Sequence, residues 1–202
     1  YTLSLHDALP IYTNRGANAL ANRNYFNTTT RAASAHYIVD DKQIIRCVPD
    51  NEIAYHVGAN AYTPIGNSIQ EIISGVRHSP NFFLIGIEMC VNLDGNWNKT
   101  YENSVELAAY LLKKYRLGVD NLYRHYDITG KDCPKMMIAD IEWLKFKRRV
   151  LEKMDEDKKQ EVSSWAKEAW EWGKREGITD GTNPKNTVTR EMLVTMLYRI
   201  RG

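Results

Sequence analysis

The chain has 202 residues, with 27 Lys and Arg against 25 Asp and Glu and a formal net charge of +2 at pH 7. This length can hold one full hydrophobic core and a small appendage. The cationic side chains are scattered, which argues against a nucleic-acid partner, and no apolar run approaches the roughly 20 residues that span a bilayer. Its 3 cysteines are too few for a disulfide framework, and their odd number would leave at least one of them without a disulfide partner. We therefore predict a soluble protein without structural disulfides.

Hydrophobic periodicity alternates between helical and strand patterns over the first 150 residues. We predict helices at 18–26, at 105–115 and around 143–150, and strands at 36–39, 43–48 and 82–91. Gly118 is expected to end the helix at 105–115. Residues 50–80 are rich in Asn, Gly, Pro and Ser, which predicts long surface loops that carry binding groups.

Glu88 interrupts an almost continuously apolar run at 82–91. The run is bounded by turn residues and indicates a central strand that is buried on both faces. A carboxylate there is costly unless it is paired, bound to a ligand or used in chemistry. Glu88 is therefore a candidate functional residue.

The loop at 124–134 places His125, Lys131 and Cys133 close together in sequence. His nitrogen and Cys sulfur are zinc ligands, and a catalytic zinc site has three protein ligands and a water. Gly130 would allow the loop to fold back on itself, and Pro134 would help to fix it. The alternative is a surface loop with an incidental histidine and a buried free cysteine, and spacing alone leaves both interpretations open.

Four blocks of sequence, in order and at the expected spacing, decide between these interpretations. They are SAHYIVDDK at 34–42, AYHVG at 54–58, IGIEMC at 85–90 and the loop from His125 to Pro134. Together they make residues 12–150 resemble the zinc-dependent N-acetylmuramoyl-L-alanine amidases of the amidase-2, peptidoglycan recognition protein-like family. The resemblance implies an α/β fold with a mixed central β-sheet flanked by α-helices.

The resemblance also implies a mechanism. A zinc ion held by His125, Cys133 and a third ligand would activate water, Glu88 would act as general base and then acid, and Lys131 would stabilise the oxyanion. The bond cut would join N-acetylmuramic acid to L-alanine in peptidoglycan. Some members have a catalytic tyrosine where this chain has Ala35, a departure that leaves Glu88 and Lys131 as the catalytic pair.

Three further residues are assigned to the substrate side of the site by the same resemblance. Tyr55 and His56 lie in the loop region where the family contacts glycan or stem peptide. His36 is expected either to pack behind the site or to contact substrate.

The start of the chain departs from the family pattern. The first zinc ligand of the family would fall at Ala8, whereas this chain has His6 two residues earlier and Pro10 two residues later. We therefore expect residues 1–11 to be an unmatched, non-native segment, with His6 as the candidate third ligand. The alternative to an enzyme is a non-catalytic peptidoglycan-binding module with an incomplete metal site.

The C-terminal part is predicted to be separate from a catalytic domain at 12–152. Residues 153–162 are dense in Lys, Asp and Glu and are expected to form a charged linker. Residues 163–202 resemble a single S-layer homology motif, which implies a helix-loop-helix that attaches to wall polysaccharide; the alternative is a helical pair that binds nothing. The protein is expected to act at the bacterial cell wall, as a phage endolysin or a bacterial autolysin, and no signal peptide is visible.

Overall fold

The computed structural model describes residues 2–7, 17–28 and 33–200, with side chains throughout except at 2, 4–7, 157–160 and 199–200. The chain divides into two compact units, Tyr1–Lys153 and Met154–Gly202. The strands are β1 (Thr2–Asp7), β2 (Tyr37–Val39), β3 (Ile44–Arg46), β4 (Glu71–Ile73), β5 (Val76–His78), β6 (Leu84–Met89) and β7 (Leu122–Arg124). The α-helices are α1 (Ala19–Thr28), α2 (Pro64–Ile69), α3 (Trp97–Tyr115), α4 (His125–Thr129), α5 (Asp140–Gln160), α6 (Lys167–Arg175) and α7 (Arg190–Ile200).

The core of the first unit is a mixed β-sheet with the strand order β3-β2-β6-β1-β7. Strand β3 runs antiparallel to β2, whereas β2, β6, β1 and β7 run parallel to one another. Helices α3 and α5 contribute apolar side chains to the core, among them Leu111, Leu112 and Phe146, which are fully buried. This architecture confirms the predicted fold class.

Strand β6 lies in the middle of the sheet, and all six of its residues are buried. The apolar run at 82–91 therefore forms the central strand that was predicted from its composition. Glu88 is buried within β6 at 2% exposure. Its Cα is paired with Ile38 on one side and with His6 on the other.

Strand β1 occupies part of the segment that was expected to be unmatched. Its backbone runs parallel between β6 and β7, in the register Leu3 with Ile85 and Leu3 with Leu122. The side chain of Leu3 is fully buried. Residues 2–7 thus supply a central strand, while Ala8 and Pro10 lie outside the described residues.

Two local features differ from the expected elements. The stretch at 50–80 is not only loop: it contains α2, which Thr63 caps and Pro64 begins, and the β4-β5 hairpin, which turns at Ser74 and Gly75 with φ of 54° and 82°. Both elements have a signal in the local sequence. Pro64 suits the first position of a helix, and Gly75 suits the positive φ that the common two-residue hairpin turns need. Helix α3 ends before Gly118, because Arg116 adopts the left-handed conformation and Leu117 donates its N–H to the carbonyl of Leu112.

The second unit contains the expected helix-loop-helix. Helix α6 is followed by Gly177 at φ 68°, and the N–H of Ile178 donates to the carbonyl of Gly173. Helix α7 begins after Thr189, whose side-chain oxygen accepts from the N–H of Met192. Gly177 and Thr189 are of the residue types that commonly end and begin helices.

Candidate active site

The carboxyl ends of β6, β1 and β7 meet at one edge of the sheet. The Cα of Glu88 is paired with that of His6, and the Cα of Leu5 is paired with that of Arg124. His125 directly follows β7 and therefore comes at the same level of the sheet as His6. Sheets of this kind bind ligands outside the carboxyl ends of their strands, so this edge is the candidate site.

The loop after β7 folds back as predicted. Gly130 ends α4 at φ 76° and donates its N–H to the carbonyl of Tyr126. The N–H of Tyr126 in turn donates to the carbonyl of Cys133 at 2.9 Å. This bond brings Cys133 to the first turn of α4, where His125 begins the helix.

His125 is held as a neutral imidazole at physiological pH. Burial, together with the positive charge of the nearby Lys131, lowers the pKa of His125 to about 4. A neutral imidazole is the form that binds metals. Cys133 is 3% exposed, whereas the side chain of Lys131 is exposed to solvent.

The donors at this edge suit zinc, although the described side chains do not complete a site. Among the residues whose side chains are described, no group of three His, Cys, Asp or Glu could hold a metal ion. His125 and Cys133 supply one imidazole and one thiol, which are the ligand types that zinc prefers. The side chain of His6, the predicted third ligand, lies outside the described residues.

Both ring nitrogens of His36 lie within hydrogen-bond distance of backbone groups. Its Nδ1 accepts from the N–H of Gly86 at 3.0 Å, and its Nε2 lies 3.1 Å from the carbonyl of Glu52, to which it donates in the tautomer that this pairing fixes. The ring is 1% exposed, and burial lowers its pKa. This arrangement favours packing behind the site over contact with substrate.

His56 is buried beside His36, with the two ring centres 5.7 Å apart. Its Nε2 lies 3.2 Å from the carbonyl of Leu84. Burial, followed by the charges of His36 and His125, lowers the pKa of His56 to about 3. Its contacts with Leu84 and Gly86 place the ring of His56 against the first half of β6.

Tyr55 differs from His56 in that 51% of its surface is exposed. Its backbone N–H donates to the side-chain oxygen of Ser34 at 2.9 Å. The ring is therefore accessible from solvent, next in sequence to a buried histidine.

Two residues that support His56 were not identified from the sequence. The side-chain oxygen of Asn81 accepts from the backbone N–H of both His56 and Val57, at 3.0 and 2.9 Å. Gly86 leaves room for the ring of His56, since a Cβ on Gly86 would lie 2.5 Å from the ring. A glycine inside an apolar strand was a usable signal for such a close approach, whereas nothing in the sequence marked Asn81.

Residues 4–136 match the family model described as N-acetylmuramoyl-L-alanine amidase, Amidase_2. The chain belongs to the Amidase_2 family. The matched range includes Glu88, His125 and Cys133, and it also takes in residues 4–11, which were expected to lie outside the resemblance.

The relatives of this Amidase_2 chain are longer than the chain itself. A probable N-acetylmuramoyl-L-alanine amidase of Bacillus licheniformis is 40% identical over 141 residues, which are 67% of this chain and 38% of that protein. The amidase CwlL of the same organism is 37% identical over 142 residues, which are 67% of this chain and 37% of the relative. The chain thus spans less than half the length of these curated relatives.

The fold of the Amidase_2 chain is also similar to solved structures. The catalytic domain of XlyA, an amidase of Bacillus subtilis, aligns with a TM-score of 0.57 at 29% identity. The alignment covers 74% of this chain and 88% of that domain. Across the described ranges, none of the helices combines the length and the apolar character that crossing a membrane requires.

Proposed function

We propose that this chain is a zinc-dependent N-acetylmuramoyl-L-alanine amidase, which hydrolyses the amide bond between N-acetylmuramic acid and L-alanine in peptidoglycan. One observation carries the proposal. In a member of this family, the fold-back of the loop brings a neutral His125 and Cys133 together at the sheet edge where the central strand ends, one residue after Glu88.

Metal binding is assigned to His125 and Cys133, with His6 as the proposed third ligand. The backbone supports this choice, because His6 is in register with Glu88 and next to the start of α4. A bound zinc ion would polarise the scissile carbonyl and lower the pKa of a water molecule.

Proton transfer is assigned to Glu88. Its carboxylate would accept the proton of the attacking water and deliver it to the departing amine of L-alanine, as general base and then general acid. Lys131 acts on the developing negative charge. It lies close enough to His125 to lower the pKa of that imidazole, which supports this role.

Substrate contact is assigned to Tyr55 and His56, with Tyr55 as the accessible member. An exposed aromatic ring suits the apolar face of a sugar or a stem-peptide side chain. His56, which is 6% exposed, would act from behind that surface. His36, with both ring nitrogens next to backbone partners, is assigned to packing.

Attachment to wall polysaccharide is assigned to residues 163–202. A groove of about 490 Å³ in this unit is lined by Trp170, Trp172, Met192 and Met196 and by the polar Thr182 and Asn183. Aromatic and polar side chains together suit a carbohydrate ligand. The protein would then act at the bacterial cell wall.

A non-catalytic peptidoglycan-binding module is the second candidate. It is favoured by the start of the chain, where Ala8 stands at the position expected for the family's first zinc ligand. Such a module needs neither Glu88 nor Lys131, so the occurrence of both residues together with His125 and Cys133 favours the enzyme.

Metal content and product identity separate the two candidates. The purified chain would be assayed for zinc by mass spectrometry and incubated with a soluble N-acetylmuramoyl peptide, and new amino groups would be assigned by end-group labelling. The amidase should carry about one zinc per chain and free the amino group of L-alanine, with activity lost to a chelator and restored by zinc. A chain that binds the peptide, holds no zinc and frees no L-alanine would be the binding module.

A further inference from the structure

Arg124 is a buried cation at the junction of β7 and α4, immediately before His125. Its side chain is 6% exposed. A charged group at this depth is tolerated only when its donors are paired. The partners of the guanidinium therefore show which parts of the chain it joins.

The guanidinium of Arg124 joins the two ends of the loop at 125–134. On the near side, its Nη2 and Nε donate to Oδ1 of Asp127 at 2.8 and 3.1 Å. On the far side, its Nη1 donates to the carbonyl of Ile138 at 2.7 Å, and its Nη2 donates to Oδ1 of Asp140 at 3.0 Å. One planar group thus closes a loop of ten residues from outside.

Asp127 also fixes the start of the helix that carries His125. Its Oδ2 accepts from the backbone N–H of Arg124 at 2.8 Å, which caps the first turn of α4. The Arg124 side chain holds this carboxylate in place through its planar fork of donors. A lysine ammonium has no such fork, although it keeps the charge.

Inside the loop, the bond from the N–H of Tyr126 to the carbonyl of Cys133 is a second cross-link. The outer cross-link made by Arg124 and this inner hydrogen bond both restrain the same loop. Ligands of a catalytic site must be held to within about 0.5 Å of their working positions. A loop without its outer cross-link would sample a wider range of separations between His125 and Cys133.

We propose that Arg124 is a positioning residue for the metal site, which sets the separation of His125 and Cys133 by closing the loop between them. The inference rests on the proposed function for its consequences in zinc binding and catalysis. The closure of the loop by Arg124 can be measured without metal, so the two can fail separately.

The test compares Arg124→Lys with the parental chain and with Lys147→Met as the matched control. Lys147 places its Nζ 5.5 Å from the centre of the Trp143 ring, which Arg124 also faces at 5.7 Å. The control therefore removes a cation from the same aromatic ring without removing a donor to the loop. Arg124→Met, which leaves Asp127 without its cation, serves as the stronger variant if it folds.

The first readout is amide hydrogen exchange in metal-free protein. Arg124→Lys should exchange the Tyr126 amide at least 10-fold faster, because its acceptor Cys133 is no longer held, while the amides of β6 keep parental rates. Parental exchange at Tyr126 would overturn the inference. Equally faster exchange across β6 would also overturn it, since Arg124 would then support the whole fold and not the loop.

The second readout is zinc affinity by chelator competition, together with kcat and KM on the soluble peptide. Loss of a group that orients a metal ligand typically costs about 10- to 100-fold in affinity or activity. We expect a loss of that size in zinc affinity and kcat for Arg124→Lys, a KM within about threefold and parental values for Lys147→Met. Parental zinc affinity and kcat in Arg124→Lys would overturn the inference. A parental chain that binds no zinc would instead overturn the proposed function, with the exchange result still deciding the role of Arg124 in the loop.

Discussion

The backbone of Gly86 lies directly against the imidazole ring of His56: a Cβ on Gly86 would lie 2.5 Å from Cγ of that ring. The ring has little room to retreat, because it is buried and its Nε2 is bonded to the carbonyl of Leu84. The N–H of Gly86 also donates to Nδ1 of His36. One glycine therefore contacts both His36 and His56 and constrains where their rings lie.

Gly86→Ala should destabilise the first unit, because the new methyl group overlaps the His56 ring. Overpacking of this kind costs about 1–3 kcal/mol. The free energy of unfolding would be measured by urea denaturation for Gly86→Ala, His56→Ala and the double variant. We expect the double variant to lose less than the sum of the two single losses, since His56→Ala makes room for the methyl group. Additive losses would show that the two residues do not constrain each other.

Cys133→Ser should abolish zinc retention and amidase activity while the fold is kept. A hydroxyl is a poor zinc ligand, whereas the loop bonds at position 133 use its backbone carbonyl and N–H, which serine retains. Cys47→Ser is the matched control. Cys47 directly follows β3, which lies at the opposite end of the strand order from β7 and its loop. The measurements are zinc content, thermal midpoint and release of L-alanine. Wall lysis at the parental rate by Cys133→Ser would rule out the zinc mechanism.

Glu88→Gln should keep zinc and affinity for the stem peptide but lower the rate by about 10²- to 10⁴-fold, the range for a lost general acid or base. The amide preserves the size of the buried side chain, so the strand should remain intact. Glu102→Gln removes a carboxylate from the surface, where it pairs with Arg149 at 3.0 Å, and serves as the control. A loss of less than about threefold in Glu88→Gln would mean that the base is another residue.

Much of the fold was predictable because its signals are local. The apolar run at 82–91 specified the central strand β6, and Gly130 specified the turn of the loop at φ 76°. A carboxylate in the middle of that run singled out Glu88. These inferences need only the composition and spacing of neighbouring residues.

The roles of the histidines were less accessible from the sequence, because their partners are backbone atoms that are distant along the chain. His36 bonds to groups of Glu52 and Gly86, and His56 bonds to the carbonyl of Leu84. Nearly every residue type has the same backbone carbonyl and N–H. The sequence therefore does not indicate which backbone group a histidine will contact. Arg124 was given no role from the sequence for the same reason, because one of its acceptors is the backbone carbonyl of Ile138.

Asp50 should make the first unit sensitive to acid. Burial alone would raise the pKa of this carboxyl, but hydrogen bonds from Lys114, Tyr37 and Tyr115 outweigh burial and lower it to about 2. A lowered pKa stabilises the fold above the unfolded value of 3.8 and loses that effect as the pH falls toward 2.

Asp50→Asn is therefore expected to cost about 2 kcal/mol of unfolding free energy at pH 7, by the linkage of the pKa shift to stability. The difference from the parental chain should shrink between about pH 4 and pH 2, where the parental carboxylate becomes protonated. Urea denaturation of both chains across this range measures it, and Tyr37→Phe, which removes a single hydrogen bond to Asp50, should lose less. A difference that does not vary with pH would show that the charge of Asp50 contributes nothing.

Removal of residues 163–202 should separate wall attachment from chemistry. The cut falls after α5, which ends at Gln160, and both helices of the C-terminal unit, α6 and α7, are removed together. We expect unchanged hydrolysis of small soluble muropeptides, because every residue assigned to metal binding or catalysis lies in the first unit.

The truncated chain should also sediment less with purified cell walls than the full chain. Within the full chain, Trp172→Ala provides the sharper variant, since its ring lines the groove of about 490 Å³ in the C-terminal unit. Trp165→Ala is its control, because Trp165 is 87% exposed and lies outside the lining of that groove. Reduced sedimentation of Trp172→Ala, with parental sedimentation of Trp165→Ala, would assign wall binding to the groove. Equal sedimentation of the full, truncated and Trp172→Ala chains would mean that these two helices do not attach the protein to the wall.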